Sequence, residues 1–150
     1  MTLCYVGLGS NLENPVEQVT KAMHDIGNLP ECQLLSTSSL YVSSPIGPQD
    51  QPDFINAVVA LTTTLSPLLL LDALQSLEME AGRQRLRHWG ERTLDVDILL
   101  YGTQVIDLPR LKVPHPEMTR RAFVLQPLAE LAPTLALPDG RPIATLLPAV

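Results

Sequence analysis

Apolar runs typical of strands alternate along the chain with two segments of helical periodicity, and this order limits the possible folds more than any other feature. A helix is expected where apolar residues recur every three or four positions, and a strand where a short β-branched run is bounded by turn residues. By these criteria strands are predicted at residues 3–8, 34–42, 54–65 and 93–101, and helices at residues 15–26 and 68–81. The predicted order is β-α-β-β-α-β.

Both predicted helices begin with a polar residue followed by proline and are followed by glycine. Asn14-Pro15 and Ser66-Pro67 place a capping side chain before proline at the first helical position. Glycine at positions 27 and 82 marks the two helix ends. In the first helix, the residues expected on the buried face are Val16, Val19, Met23 and Ile26.

The element order is that of the ferredoxin-like βαββαβ fold, an α+β class in which two helices pack on a mainly antiparallel sheet. The C-terminal segment adds a short predicted strand at residues 104–106 and helix-like turns at residues 123–131. The last twenty residues contain four prolines and are expected to be irregular and held at the surface. The length predicts a single domain over residues 1–150.

Composition excludes several classes of protein. An apolar fraction of 45% and a mean hydropathy of +0.14 fit a packed domain, and no run approaches the roughly 18 apolar residues of a transmembrane helix. The first residues lack the basic start of a signal peptide, and Cys4 and Cys32 are too few for a disulfide framework or a zinc cluster. We therefore expect a cytoplasmic protein with free thiols.

Basic residues are concentrated in one part of an acidic chain. The formal net charge of −6 argues against binding to nucleic acid or to an anionic membrane. Residues 83–121 hold eight of the ten basic residues and five of the sixteen acidic ones, so this part carries +3 and the rest −9. Such a zone would attract a compact polyanion, but a solvated charged loop is an equally open alternative.

Asp95 and Asp97 interrupt an otherwise apolar run inside this zone. In a strand both carboxylates would project from one face, with Cα atoms roughly 6.6 Å apart. Magnesium takes one or two carboxylates and leaves its other positions to water and substrate phosphates. Guanidinium forks matched to phosphate oxygens precede the pair, at Arg83, Arg85, Arg87 and Arg92. The alternative is that the two aspartates form the solvent face of an antiparallel strand.

Two further segments are candidates for substrate contact. Gly7-Leu8-Gly9-Ser10-Asn11 is followed by Leu12, at the position where a dinucleotide-binding fingerprint has its third glycine. A plain turn is therefore favoured over a phosphate-binding loop. The loop at residues 43–53 is proline-rich and long for a link between neighbouring strands. It leads into Phe54 and Asn56, a ring and an amide on one strand face that suit a flat, hydrogen-bonding heterocycle. The alternative is that Phe54 is a core residue, which is the commoner role of an aromatic at a strand start.

These segments together resemble the 6-hydroxymethyl-7,8-dihydropterin pyrophosphokinase family. The most specific match is residues 88–99, His-Trp-Gly-Glu-Arg-Thr-Leu-Asp-Val-Asp-Ile-Leu. Supporting matches are Gly9-Ser10-Asn11, residues 45–56 (Pro-Ile-Gly-Pro-Gln-Asp-Gln-Pro-Asp-Phe-Ile-Asn) and Val113-Pro114-His115. The resemblance covers nearly the whole chain. It implies an enzyme of folate biosynthesis that transfers the pyrophosphoryl group of ATP to a pterin alcohol and releases AMP.

The resemblance also implies roles for individual residues. Asp95 and Asp97 would bind two Mg2+ ions, and Arg83 and Arg92 would belong to a mobile catalytic loop. Pterin contacts would come from Ser43, Ile46, Phe54, Asn56 and Phe123. ATP contacts would come from Gln75, Glu78, Arg85, Trp89, Ile98, Arg110, Lys112, His115 and Arg121. The expected partners are ATP and the hydroxymethyl-dihydropterin, with no nucleic acid and no membrane, and the enzyme is expected to be a monomer.

The sequence departs from the family pattern at a few positions. Phe54 stands where the family often has tyrosine, which removes a hydroxyl but keeps a ring for stacking. Lys112 and Pro116 occupy positions that are commonly threonine and tyrosine, and the arginine-rich loop is one residue shorter between Arg85 and Trp89. Two other functions remain as alternatives: a metal-dependent phosphohydrolase that uses water as nucleophile, and a non-catalytic ferredoxin-like module that binds a ligand.

Overall fold

The computed structural model describes residues 1–12, 14–45, 49–82 and 93–147 as an α+β fold. The strands are β1 (Thr2–Ser10), β2 (Cys32–Thr37), β3 (Tyr41–Ser43), β4 (Phe54–Thr63), β5 (Asp95–Tyr101), β6 (Ile106–Asp107) and β7 (Lys112–Val113). The helices are α1 (Pro15–Gly27), α2 (Pro67–Glu80) and α3 (Ala122–Leu131), with 3-10 turns at Met118–Arg120 and Ile143–Thr145. Within these ranges, every helix is too short or too polar to span a bilayer.

The main sheet has the strand order β2-β4-β1-β5, with β3 also paired to β4, and all of these pairs are antiparallel. The order of helices and strands along the chain confirms the predicted β-α-β-β-α-β arrangement, in which β1 and β4 are central. β6 and β7 form a separate two-stranded hairpin, so the predicted strand at residues 104–106 is found two residues later, at Ile106–Asp107.

The continuous strand predicted at residues 34–42 is wrong, because the chain breaks into β2 and β3. Thr37 pairs with Val59 and Tyr41 pairs with Asn56. Between these two pairs, the three residues 38–40 lie opposite the two residues 57 and 58 of β4. Ser38 occupies the break, where its N–H donates to the Val58 carbonyl and its Oγ accepts from the Val58 N–H, each at 2.9 Å. A side chain thus supplies one of the bonds that a regular ladder would make.

Two apolar clusters lie on the two faces of the sheet. One face packs against α1 and α2, as predicted, with Val6, Leu61 and Leu74 fully buried. The other face is covered in part by α3 and by the C-terminal tail, which contribute Leu128, Leu137 and Ile143. The expectation that the tail lies at the surface is therefore wrong for Leu137 and Ile143, which are 4% and 0% exposed. Burial of these side chains holds an irregular segment against the sheet.

The helix starts follow the predicted signals with one exception. Ser66 caps α2 by accepting from the Leu69 N–H at 3.4 Å. Asn14 precedes α1 but its side chain makes no capping bond, because its backbone is left-handed, with φ of 61°. On α1 the buried positions include Val19 and Ile26, whereas Val16 is 49% exposed and does not belong to the buried face.

The two cysteines are free thiols in different surroundings. Cys4 on β1 is fully buried, and its burial, with a smaller contribution from Cys32, raises the pKa of its thiol to about 12. Cys32 on β2 is half-buried, and its Sγ lies 3.4 Å from the Thr63 hydroxyl.

Candidate active site

β5 directs its two aspartates away from the helix-backed core. Val96 and Ile98 are buried with α1 and α2, so Asp95 and Asp97 project from the opposite face of the sheet. Asp97 is exposed and Asp95 is half-buried. The two carboxylates share one face, as the strand periodicity predicts.

Two glycines of β1 lie opposite the carboxylates. Gly9 pairs with Asp95 and Gly7 pairs with Asp97, so β1 places no side chain beside either carboxylate. On its other side Gly9 pairs with Asn56 of β4. A Cβ atom at Gly9 would lie 3.2 Å from Asn56 Oδ1. A floor of bare backbone therefore joins the Asp95 side of the site to Asn56.

The polar and aromatic residues assigned to the pterin lie on β3, β4 and α3. Asn56 is buried, and its Nδ2 donates to Ser43 Oγ at 2.6 Å. Phe54 pairs with Ser43 and is half-buried. Phe123 lies in the first turn of α3, which packs on β3 and β4, and the guanidinium carbon of Arg121 is 5.5 Å from its ring centroid. Arg121 thus covers one face of the Phe123 ring.

The end of β1 anchors two neighbouring segments through buried side chains. Ser10 Oγ donates to the Thr93 carbonyl at 2.5 Å, and the Thr93 hydroxyl donates to the Gly82 carbonyl at 3.3 Å. Asn11 Nδ2 donates to Gln51 Oε1 at 3.0 Å and to the Pro52 carbonyl at 2.9 Å. These bonds fix the approach to Asp95 and the end of the proline-rich loop.

A cleft of about 310 Å³ opens beside β5, between α2 and the segment 110–116. Asp97 lines it together with six residues that the resemblance assigns to ATP: Gln75, Glu78, Ile98, Arg110, Lys112 and His115. Asp97 thus belongs both to the lining of this cleft and to the opposite sheet face.

The two cations of the cleft carry carboxylate partners. Arg110 Nη2 donates to Asp72 Oδ1 at 2.5 Å and to Gln75 Oε1 at 3.2 Å, both on α2. Lys112 Nζ donates to Asp107, its cross-strand neighbour in the hairpin. All four charged side chains are at least half exposed, so these pairs can exchange with other anions.

Glu78 and His115 fix the outer edge of β5. Glu78 is 5% exposed, and its carboxylate accepts from the N–H of Val96, the residue between the two aspartates, at 2.8 Å. The backbone N–H of His115 donates to the Leu99 carbonyl at 3.0 Å. His115 Nδ1 accepts from the Glu117 N–H at 3.2 Å, so in the neutral imidazole the ring proton is assigned to Nε2.

The donors on β5 suit magnesium. Asp95 and Asp97 offer carboxylate oxygens, which magnesium prefers, and two such ligands leave room for water and phosphate oxygens. In the part of the chain that the structure describes, there is no cluster of three or more His, Cys, Asp or Glu residues able to hold a metal.

Known proteins share both the sequence and the fold. The family described as 7,8-dihydro-6-hydroxymethylpterin-pyrophosphokinase (HPPK) matches residues 5–133. The chain belongs to this family. The 2-amino-4-hydroxy-6-hydroxymethyldihydropteridine pyrophosphokinase of Pseudomonas aeruginosa is 60% identical over 145 residues, covering 97% of this chain and 90% of the relative. The protein of the same name from Haemophilus influenzae is 54% identical over 147 residues, with 98% and 92% covered. The family indicated by residues 88–99 is confirmed.

Solved HPPK structures have the same fold. Plasmodium falciparum HPPK-DHPS with pteroate superposes with a TM-score of 0.78 at 14% identity, and an HPPK-DHPS in complex with substrates does so with 0.75 at 12%. Both matches cover 99% of this chain, which spans 42% and 43% of the two solved chains. The likeness confirms the α+β fold expected from the sequence.

Five of the predicted site residues lie outside the described ranges: Ile46, Arg83, Arg85, Trp89 and Arg92.

Two residues at the end of β1 have a role that the sequence did not predict. Sequence reasoning gave Ser10 and Asn11 no anchoring role. Their partners are 83 and 40 residues away along the chain, so no local pattern indicates these bonds. Their presence in the Gly9-Ser10-Asn11 family match was the one available signal.

Proposed function

We propose that this chain transfers the pyrophosphoryl group of ATP to the hydroxymethyl oxygen of 6-hydroxymethyl-7,8-dihydropterin, giving the pterin diphosphate and AMP, as a step of folate biosynthesis. Family membership supports this activity. The observation that carries it is the position of the two β5 carboxylates. Asp97 lines the cleft that gathers the ATP-side residues, and Asp95 is joined through Gly9 to Asn56 on the pterin side.

The reaction is an in-line displacement at the β-phosphorus of ATP. The hydroxymethyl oxygen forms a bond to that phosphorus and releases its proton to solvent, while the bond to the oxygen bridging the α- and β-phosphorus breaks and its electron pair leaves with AMP. Asp95 and Asp97 would hold two Mg2+ ions, which would neutralise charge on the phosphates and lower the pKa of the attacking hydroxyl. Positioning and electrostatics account for most of the rate in such transfers.

The pterin-side residues bind and orient a flat acceptor. Phe54 and Phe123 present rings for stacking, and the Asn56 amide can both donate to and accept from the edge of a heterocycle. Because the Asn56 Nδ2 already donates to Ser43, the two side chains act as one preorganised unit. Ile46 completes this side of the site.

The nucleotide-side residues bind the phosphates and the rest of ATP. Arg110, Lys112 and the Nε2–H of His115 supply positive charge and donors inside the cleft. Gln75, Glu78, Arg85, Trp89, Ile98 and Arg121 complete the proposed ATP contacts.

Arginines of the segment 83–92 stabilise charge that develops during transfer. Arg83 directly follows Gly82, and Arg92 directly precedes Thr93. Gly82 and Thr93, which flank the segment, are hydrogen-bonded to each other. An arginine brought to a transferring phosphoryl group typically contributes about 10³-fold or more to the rate.

The enzyme works in the cytoplasm as a monomeric single domain on these two small molecules, without nucleic acid or membrane. Two free thiols suit a reducing compartment.

Mixing the protein with ATP, Mg2+ and 6-hydroxymethyl-7,8-dihydropterin tests the proposal, with AMP and the pterin diphosphate detected by mass spectrometry. Both products should appear together. AMP or phosphate released at the same rate without pterin would instead indicate a phosphohydrolase, and a lack of both products would refute the proposal.

Asp97→Asn should lower kcat by more than about 100-fold, because it removes a metal-ligand charge while preserving side-chain size. Asp139→Asn is the matched control, since Asp139 forms an exposed ion pair with Arg141 outside the site. Turnover by Asp97→Asn within a fewfold of this control, at saturating Mg2+, would exclude the assigned metal role.

A further inference from the structure

Arg110 is held from the side of α2 in a way that limits what it can offer to an anion. Its Nη2 donates to both Asp72 Oδ1, at 2.5 Å, and Gln75 Oε1, at 3.2 Å. Arg110 and Asp72 are about half exposed, with side-chain accessibilities of 51% and 52%. Arg110 and Gln75 line the cleft, and Asp72 lies one helical turn before Gln75.

The geometry of the guanidinium makes this arrangement competitive with phosphate binding. An arginine binds a phosphate most strongly through two parallel N–H donors. One such fork pairs Nε with Nη2 and the other pairs Nη1 with Nη2, so both forks include Nη2. This nitrogen has two hydrogens, and Asp72 and Gln75 engage both. A phosphate can take a fork of Arg110 only when one of these bonds is released.

We infer that Asp72 sets the nucleotide affinity of the cleft by competing with the phosphates of ATP for Arg110. This inference rests on the proposed function, because it takes Arg110 as a nucleotide contact. Of the two α2 partners, Asp72 is the stronger competitor, since its acceptor is a carboxylate of opposite charge at 2.5 Å, whereas Gln75 offers a neutral amide oxygen at 3.2 Å.

The other cation of the cleft is not under the same constraint. Lys112 donates to Asp107, but an ammonium has three donors and no fork that must be kept intact. Lys112 can therefore bind a phosphate while it keeps Asp107, whereas Arg110 must first release a bond of its Nη2, to Asp72 or to Gln75.

Isothermal titration of the full chain with α,β-methylene-ATP and MgCl2 tests the inference, because the methylene group blocks transfer. Asp72→Asn should lower the Kd by about two- to fivefold, the range expected from an exposed ion pair. The gain should shrink between about 0.05 M and about 0.5 M NaCl, since salt screens the Asp72–Arg110 pair.

Two further variants separate this competition from a general charge effect. Asp25→Asn makes the same change of charge in the exposed Lys21–Asp25 pair on α1 and should leave the Kd unchanged. In an Arg110→Ala background, Asp72→Asn should have no further effect. Equal or weaker binding by Asp72→Asn, an equal gain in Asp25→Asn, or a gain that persists without Arg110 would each overturn the inference. Failure of the parent protein to bind the analogue would instead refute the nucleotide site of the proposed function.

Discussion

Gly9 shows how one backbone position shapes the site at the scale of a residue. It lies between Asp95 and Asn56 in the sheet, and the space above it exists because it lacks a Cβ atom. The sequence marks Gly9 as part of a turn, yet it lies inside β1. Its importance comes from close approach to a side chain rather than from an unusual backbone conformation.

Gly9→Ala should raise the KM for the pterin by about three- to tenfold, roughly 0.7–1.4 kcal/mol, because its Cβ would push against Asn56 Oδ1 at 3.2 Å. Steady-state kinetics at saturating ATP measures the effect. Gly27→Ala is the control, since its Cβ would meet Leu34 at an ordinary 3.6 Å. The same pterin KM in both variants would mean that Asn56 does not bind the pterin or moves without cost.

At the scale of elements, β5 is the edge strand of the sheet, and α2 satisfies part of its free edge. The N–H of Val96 donates to the carboxylate of Glu78 on α2, and Val96 lies between the two aspartates of β5. Glu78 is thus positioned to hold the carboxylates in place, in addition to the nucleotide contact proposed for it.

Substitution of Glu78 separates hydrogen bonding from charge. Glu78→Leu should lower the free energy of unfolding by about 1–3 kcal/mol and reduce kcat, because the buried Val96 N–H loses its acceptor. Glu78→Gln retains an acceptor and should lose less of both. Urea denaturation and steady-state rates measure the two effects. Equal losses in the two variants would show that the carboxylate charge, not the bond to β5, is what matters.

A second link between elements joins α3 to β3 and to the residues just before it, and it depends on pH. Glu130 accepts from the Tyr41 hydroxyl at 2.7 Å and from the Ser39 N–H and hydroxyl at 3.0 Å. The bond from Tyr41 is the main reason that the pKa of Glu130 falls below its usual 4.5. A lowered carboxyl pKa adds stability above the unfolded-state value, and that stability is lost as the pH falls through the folded-state value.

Tyr41→Phe should therefore lower the free energy of unfolding at neutral pH, by less than about 1 kcal/mol because the pair is exposed. The difference from the parent should vanish at a pH below the folded-state pKa of Glu130, as measured by denaturation at both pH values. Glu130→Gln should lack this pH dependence. A loss in Tyr41→Phe that stays the same in acid would contradict the role of the ionised carboxylate.

The elements that the sequence predicts well are those with strong local signals. Proline at both helix starts and the β-branched run of β4 place α1, α2 and β4 within a few residues. The break between β2 and β3 depends on Ser38 bonding across to Val58, and the exposure of Val16 depends on how α1 sits on the sheet. Neither is visible in a periodic pattern, because tertiary contacts decide both.

The same division holds for the site. The aspartate pair follows from strand periodicity, and the residue roles followed from the family resemblance. The anchoring bonds of Ser10 and Asn11 and the pairing of Asp72 with Arg110 join segments far apart in sequence. Such contacts have no local signature, so only the folded chain brings them together.

At the scale of the whole molecule, the sheet separates a helix-backed core from a second core made by α3 and the tail. Among the residues that the structure describes, the second core covers only part of its face, and the candidate site lies on the remaining part. Ile143 is fully buried in this second core, and its N–H donates to the Leu135 carbonyl at 2.9 Å. The irregular tail thus contributes to the stability of the face that carries the site.

Ile143→Ala should lower the free energy of unfolding by about 2–5 kcal/mol, since it leaves a cavity in a closed core. Val105→Ala, at a position 73% exposed, should change it by less than about 0.5 kcal/mol. Chemical denaturation compares the two. If Ile143→Ala were as mild as Val105→Ala, the tail would not be packed as the structure has it.

The two thiols differ in exposure, so a thiol-reactive label can be attached at one position only. The thiolate is the form that reacts with maleimides, and a buried Cys4 with a pKa of about 12 stays protonated and shielded. Cys32 lies on β2, at the edge of the sheet opposite the carboxylate strand. A fluorophore could therefore be attached at Cys32 alone, without an engineered cysteine and away from the candidate site.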